Sequence, residues 1–224
     1  MCDLKTEEKC VNIYSFDPID SRLYYIVMND MAIIVDPCVS WKMFNELTSK
    51  GVKCATIILT HEHYDHISGV NWFRENFENV SVLCSKKCSQ MIMNAHKNLS
   101  AFSNVLYMDK EMDKSLEEYG WDLNYTCYAD ETFEDEMEFD WEGHHFFLKE
   151  TPGHSPGSIC IIMDNKYLFS GDTLVTGHPT ITRLPGGSKK EFKEITIPYL
   201  KTLNPELMVY PGHGEPQKLK EFNL

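Results

Sequence analysis

Residues 59–69 read "LTHEHYDHISG". Three histidines and two acids fall between His61 and His66, directly after the apolar run Ala55-Thr56-Ile57-Ile58-Leu59. Lys53–Leu59 reads as a buried strand, because a short apolar run rich in β-branched residues ends at a polar loop. In extended backbone, residues two apart project from the same side, so His61 and His63 can grip one ion together. Asp65 and His66 follow at the start of a helix and can turn toward a second ion. A catalytic zinc usually takes three protein ligands, so four candidates on one loop exceed the need of a single ion. The complement for two ions must come from elsewhere in the chain.

Three further stretches supply it. "TPGHSPGS" (151–158) sets His154 in a Pro/Gly turn between strands, and "FSGDTL" (169–174) sets Asp172 just past the strand Tyr167–Ser170. "VYPGHGE" (209–215) sets His213 just past Leu207–Tyr210. Each candidate lies in a glycine-containing loop at a strand end, where rigid strands can aim it at a common point. Five histidines and two aspartates divide into three histidines for one metal, two histidines and a carboxylate for the other, and one bridging carboxylate.

Around these motifs the chain reads as two strand-rich halves. Strands are expected at Val11–Phe16, Leu23–Met28, Ala32–Asp36 and Val80–Cys84, with a turn at Asn29-Asp30. Helices are expected at Trp41–Lys50, which stops at Gly51, at Val70–Phe77 and at Lys86–His96. His96 is then placed to meet the helix dipole. The second half offers strands at Phe146–Glu150, Ser158–Met163 and Tyr167–Ser170, with a turn at Asp164-Asn165. Ser188-Lys-Lys-Glu191 is a capping box opening a helix whose apolar face is Phe192, Ile195, Tyr199 and Leu203. Pro198 should kink or shorten that helix. Leu99–Glu138 is polar and acidic and is expected to be an insertion, either covering the site or simply solvated. The expectation is a single domain over 1–224, an α/β protein with two sheets packed together and helices outside.

The formal net charge of −13 argues against a nucleic-acid binder and an anionic membrane surface, since both draw on clustered Lys and Arg. No cationic run exceeds a pair such as Lys189-Lys190. The start has no signal-peptide layout and no apolar run approaches membrane-spanning length, so the expected location is the cytoplasm. The eight cysteines include no CxxC pair and read as buried or free reduced thiols. The expected partner is a small-molecule substrate; the oligomeric state is left open.

At "THEHYDH" (60–66), "TPGHSPGS", "SGDTL" (170–174), "LPGG" (184–187) and "PGHG" (211–214) the chain resembles the metallo-β-lactamase-fold hydrolases. The nearest branch looks like the hydroxyacylglutathione hydrolases (glyoxalase II) and their shorter relatives, without the C-terminal helical segment. The resemblance implies a four-layer αββα sandwich of two mixed β-sheets. It implies that His61, His63 and His154 hold the first metal, that Asp65, His66 and His213 hold the second, and that Asp172 bridges. Asp36, in "IIVDP", resembles the family's acid that steadies the metal loop. Cys38 stands where the family often has Gly.

Chemically, two divalent ions less two aspartates and a bridging hydroxide leave a site near +1, suited to an oxyanion developing on a substrate. Metal-bound water has a pKa near 7, so a bridging hydroxide is expected to attack the carbonyl of a thioester, ester or lactone, with Asp65 and Asp172 as catalytic carboxylates. Zinc is the first choice, with iron and manganese accepting the same ligands. A small-molecule phosphodiesterase, a mononuclear iron persulfide dioxygenase and a non-catalytic metal-binding scaffold are the alternatives. Tyr64, His178 and Arg183 are candidate substrate contacts, against plain packing, solvent exposure and an ion pair respectively.

Overall fold

The computed structural model describes residues 12–16, 21–106 and 122–224. One mixed sheet runs β1 (Asn12–Phe16), β2 (Ser21–Met28), β3 (Met31–Val35), β4 (Cys54–Ile58), β5 (Asn79–Ser85) and β6 (Glu131–Phe133) in that spatial order. Its β1–β2–β3 hairpins are antiparallel, and β3 through β6 are parallel. The second sheet comprises β7 (Glu136–Trp141), β8 (His144–Glu150), β9 (Ile159–Met163), β10 (Tyr167–Gly171), β11 (Met208–Pro211) and β12 (Gln217–Lys218). Only its β10–β11 pair is parallel.

The central strands bury side chains on both faces, which accounts for their near-continuous apolar runs. Tyr24, Ile33, Val35 and Ile58 meet Phe146, Leu148, Ile161 and Phe169 between the sheets. The opposite face of the first sheet, with Ile34, Ile57 and Val82, packs Met43 and Leu47 of α1 (Trp41–Ser49). Beyond the short α2 (Tyr64–Ile67), Phe73 of α3 (Val70–Asn76) and Ile92 of α4 (Lys86–Ile92) complete that layer. Outside the second sheet, Ile162, Leu168 and Val209 pack against Leu200. The order helix, sheet, sheet, helix is the expected αββα sandwich. The Asp164-Asn165 turn holds both residues at φ near +55°, and Lys166 N closes it on Met163 O at 3.0 Å.

Three stretches differ from the sequence reading. Helix α4 ends at Ile92 rather than His96, because the Asn94 side chain accepts hydrogen bonds from the backbone N–H groups of His96 and Lys97 and replaces the helical pattern. His96 is therefore not at a helix end, and its ring lies edge-on to Phe102. The helix after Ser188 is capped as expected, Ser188 Oγ accepting from Glu191 N at 3.2 Å. It then passes through a π-helical turn, Phe192–Thr196, before Ile197–Leu200. Pro198 has no N–H to donate and its ring crowds the carbonyl a turn earlier, which favours this widened turn. The extra residue rotates Thr196 and Leu200 inward and leaves Ile195 48% exposed, off the apolar face assigned to it.

The acidic stretch also holds structure not expected of it. Glu131–Phe133 is the edge strand of one sheet and Glu136–Trp141 that of the other. In β7 Glu136, Glu138 and Asp140 face water while Met137, Phe139 and Trp141 pack inward. Met108–Lys114 and Trp121 lie outside the described residues. Among the described residues, Cys38, Cys54, Cys84, Cys88, Cys127 and Cys160 are free thiols, as read from the sequence. No described helix is long and apolar enough to cross a membrane.

Candidate metal centre

The candidate metal donors sit at one end of the sandwich, on loops that leave strand ends and, for Asp65 and His66, on the short helix Tyr64–Ile67 that follows the first of these loops. Asp36 follows β3, residues 60–66 follow β4, Asp172 follows β10 and His213 follows β11; His154 lies in the β8–β9 loop. Backbone hydrogen bonds tie these loops together, from Ile159 N to Thr60 O at 2.8 Å and from Gly212 N to Gly171 O at 2.8 Å. Glycine is demanded where the loops touch the candidate donors and Thr60. A Cβ on Gly212 would stand 2.1 Å from Asp172 Oδ1, and one on Gly171 2.2 Å from Thr60 Oγ1.

Three donor groups are found among the described residues; one, Asp36 with His61 and His66, lies behind the rings, and the other two face the cleft. One nitrogen each of His61, His63 and His154 gather within 4.8 Å of one another. Asp65, His66 and His213 form a second group of the same compactness. Asp172 stands between them: Oδ2 is 3.6 Å from His154 Nε2 and 3.4 Å from His213 Nε2, and Oδ1 is 3.5 Å from His66 Nε2. Asp65 Oδ2 lies 3.3 Å from His66 Nε2 and 3.4 Å from His213 Nε2. All seven residues predicted as ligands converge.

Partners behind the rings decide which nitrogen faces the centre. Asp36 Oδ2 accepts from His66 Nδ1–H at 3.1 Å and from the Thr60 hydroxyl at 2.6 Å, while Oδ1 accepts from Thr60 N at 2.7 Å. The Thr60 oxygen can then accept from His61 Nδ1–H at 3.0 Å. His154 Nδ1–H donates to Ile181 O at 2.8 Å. The Nε2 lone pairs of His61, His66 and His154 are thereby left for the interior. Asp36 holds φ at +53°, a strained value for a non-glycine residue, and its side-chain bonds keep it there.

The donors fit metal ions. His61 Nε2, His66 Nε2 and Asp172 Oδ1 are buried without a hydrogen-bond partner, an expensive state for a purely structural group. His63 Nδ1 and His154 Nε2 approach to 3.0 Å, which sets two lone pairs against each other unless a proton or cation lies between them. Electrostatics agree. Burial, then neighbouring imidazoles, pushes His63 down to about 3 and His61 well below the ordinary imidazole range. Burial opposes ionisation of Asp65 and Asp172, yet His66 and His213 outweigh it and hold both well below the carboxylate range. Burial likewise depresses His213, but Asp172 and Asp65 lift it to about 10. The first group thus offers neutral imidazoles, and the second offers anions whose histidine protons a cation can replace.

Sequence reasoning missed Glu62 and Ser155. Glu62 is buried between His61 and His63 and accepts from Ser155 Oγ at 2.8 Å, directly after His154. No sequence signal marked it: in extended backbone Glu62 projects opposite to His61 and His63, and only the fold closes that side, against Ser155 and Gly157. Of the three candidate substrate contacts, Tyr64 and His178 line the cleft above the centre. The Tyr64 hydroxyl accepts from Asp122 N at 3.3 Å, and its ring packs on Tyr125. Arg183 is exposed and is not among the residues lining that cleft.

The model of the metallo-beta-lactamase superfamily matches residues 18–213, and the chain belongs to that family. A "Probable metallo-hydrolase YqgX" of Bacillus subtilis (strain 168) is 27% identical over 88% of this chain and 86% of its own length. A "Hydroxyacylglutathione hydrolase" of Glaesserella parasuis is 24% identical over 91% of this chain and 69% of its own. Among solved structures, the BLEG-1 B3 metallo-beta-lactamase superposes with a TM-score of 0.77 at 24% identity, covering 95% of each chain. TTHA1623 in a di-iron-bound form superposes with a TM-score of 0.73 at 24% identity, over 94% of this chain and 96% of its own. At these identities the two structures establish the fold alone.

Proposed function

We propose that this chain is a metal-dependent hydrolase that holds two divalent cations and cleaves a thioester, ester or lactone. The observation that carries this reading is the placement of Asp172, one carboxylate facing both donor groups. His61, His63 and His154 would hold the first cation, Asp65, His66 and His213 the second, and Asp172 would serve both. Two cations there supply Lewis acidity and a water whose pKa falls to near 7.

The residues of the chain do the rest. Water oxygen adds to the acyl carbon, the carbon–sulfur or carbon–oxygen bond breaks, and the water proton ends on the departing thiolate or alkoxide. Asp65, anionic and directed at the same point as Asp172, orients that water as a hydrogen-bond acceptor. Asp36, through Thr60 and His66, holds the imidazoles in the tautomer that the cations need. Tyr64 and Leu99 wall the cleft and keep bulk water from the reacting carbonyl.

Zinc suits an imidazole-rich set with carboxylates, and iron accepts the same donors. His61→Ala and Asp172→Ala, assayed on acyl thioesters, lactones and bis-p-nitrophenyl phosphate with metal content measured alongside, test the reading. Both variants are expected to lose metal and at least 100-fold in acyl hydrolysis, on the order of the loss when an essential group is removed. Unchanged turnover would refute it, and turnover confined to the phosphodiester would move the reaction to phosphoryl transfer.

A further inference from the structure

We infer that the cleft above the metal centre selects an uncharged, apolar arm on the substrate rather than an anionic one. The chemistry rests on the hydrolase reading; the specificity rests on the cleft wall. The cleft has a volume of about 500 Å³. Its sides carry Leu99, Leu106, Val175, Pro179, Ile181 and Leu184, and no lysine or arginine is among its described lining residues. The histidine and aspartate donors, His213 among them, form its floor; on the walls above them a carboxylate or phosphate would be desolvated with no lysine or arginine to meet it, whereas an alkyl chain would gain apolar contact.

Both walls are positioned relative to the catalytic end of the molecule. On one side, Leu99 sits at φ +68°, a costly conformation for a leucine, and the 3₁₀ turn Ser100–Phe102 and α5 (Ser103–Leu106) follow it. Buried polar bonds pin that segment. Asn98 Nδ2 donates to Ile92 O and to Tyr125 O, Asn98 Oδ1 accepts from Ser100 N, and Ser103 Oγ donates to Ser100 O. On the other side, Ile181 shares its carbonyl with His154 Nδ1, so its side chain is indexed to a candidate metal ligand. Leu106 and Ile181 are 43% and 45% exposed, an apolar rim open for contact.

The test uses the purified, metal-loaded chain with two readouts. Acetyl, butanoyl, hexanoyl and octanoyl thioesters of one neutral thiol give kcat/KM against chain length. Methyl ketones of the same chain lengths, which cannot be hydrolysed, give Kd by calorimetry, each beside a counterpart ending in a carboxylate. Both quantities should improve by about two- to fourfold per methylene, given partial burial of each, and the terminal carboxylate should reverse the gain. Ile181→Lys, at a half-exposed position that tolerates the change in folding, should lower the octanoyl-to-acetyl ratio and favour the carboxylated series. A flat or falling dependence in the ketone Kd, or a preference of the unaltered chain for carboxylated arms, overturns the inference. Should the Kd trend hold while no acyl compound is turned over, the apolar subsite stands and the hydrolase reading falls.

Discussion

Asp36 shows how a residue that touches no substrate can govern the centre. It accepts from Thr60 twice and from His66 once, and through Thr60 it reaches His61. Asp36→Asn preserves the shape but offers an N–H where an acceptor is needed; metal affinity measured by competition with a chelator should fall about 10- to 100-fold. An unchanged affinity would mean the imidazoles orient themselves. Glu62 gives a prediction of different kind. Burial, partly offset by the Ser155 bond, raises its carboxyl from the ordinary 4.5 to about 7 in the fold. Both states hold the proton below pH 4.5; between there and pH 7 the unfolded chain ionises first, so stability is lost as pH rises. Denaturant titrations of the metal-free chain at pH 5 and pH 7.5 should show that loss, on the order of 3 kcal/mol, in the wild type relative to Glu62→Gln. Parallel pH curves for the two would contradict it. The candidate ligands were legible because no ordinary structural need gathers three imidazoles beside an acid. Glu62 was not, since only the fold shows that its neighbours seal it in.

Among the elements, the strands with both faces buried announce themselves in sequence, whereas β6 and β7 do not. An edge strand shows one face to water, and in Glu136–Trp141 that face is acidic, so alternation was hidden inside a run that reads as solvated. The assignment makes a contrast that can be measured. Phe139 stacks on Phe146 with ring centroids 5.2 Å apart, while Glu138 points to solvent. Phe139→Ala should cost about 2–3 kcal/mol in chemical denaturation, less than a fully buried phenylalanine, and Glu138→Ala less than about 0.5 kcal/mol. Equal effects would place the stretch in a loop. The π-helical turn at Phe192–Thr196 was equally illegible. A capping box and an apolar period predict a helix, but the widening forced near Pro198 moves Ile195 outward and Thr196 inward, where its hydroxyl donates to Pro152 O.

At the scale of the whole molecule, the sandwich brings together one end of both sheets, and with it seven donors separated by up to 152 positions between His61 and His213. Two packed sheets with helices outside could be read from two strand-rich halves, and the four-layer order was what the family resemblance implied. The cleft could not, because its apolar walls come from 99–106 and 175–184, stretches with no shared pattern until folding places them opposite each other. The proposed function places the one carboxylate of Asp172 in the service of two cations. The most direct measurement is metal stoichiometry by elemental analysis of the purified chain beside His213→Ala. Two metal ions per chain are expected, falling toward one in the variant as the second group loses a donor and the three-histidine group keeps its own. A single ion per chain in the unaltered protein, undiminished in His213→Ala, would contradict it.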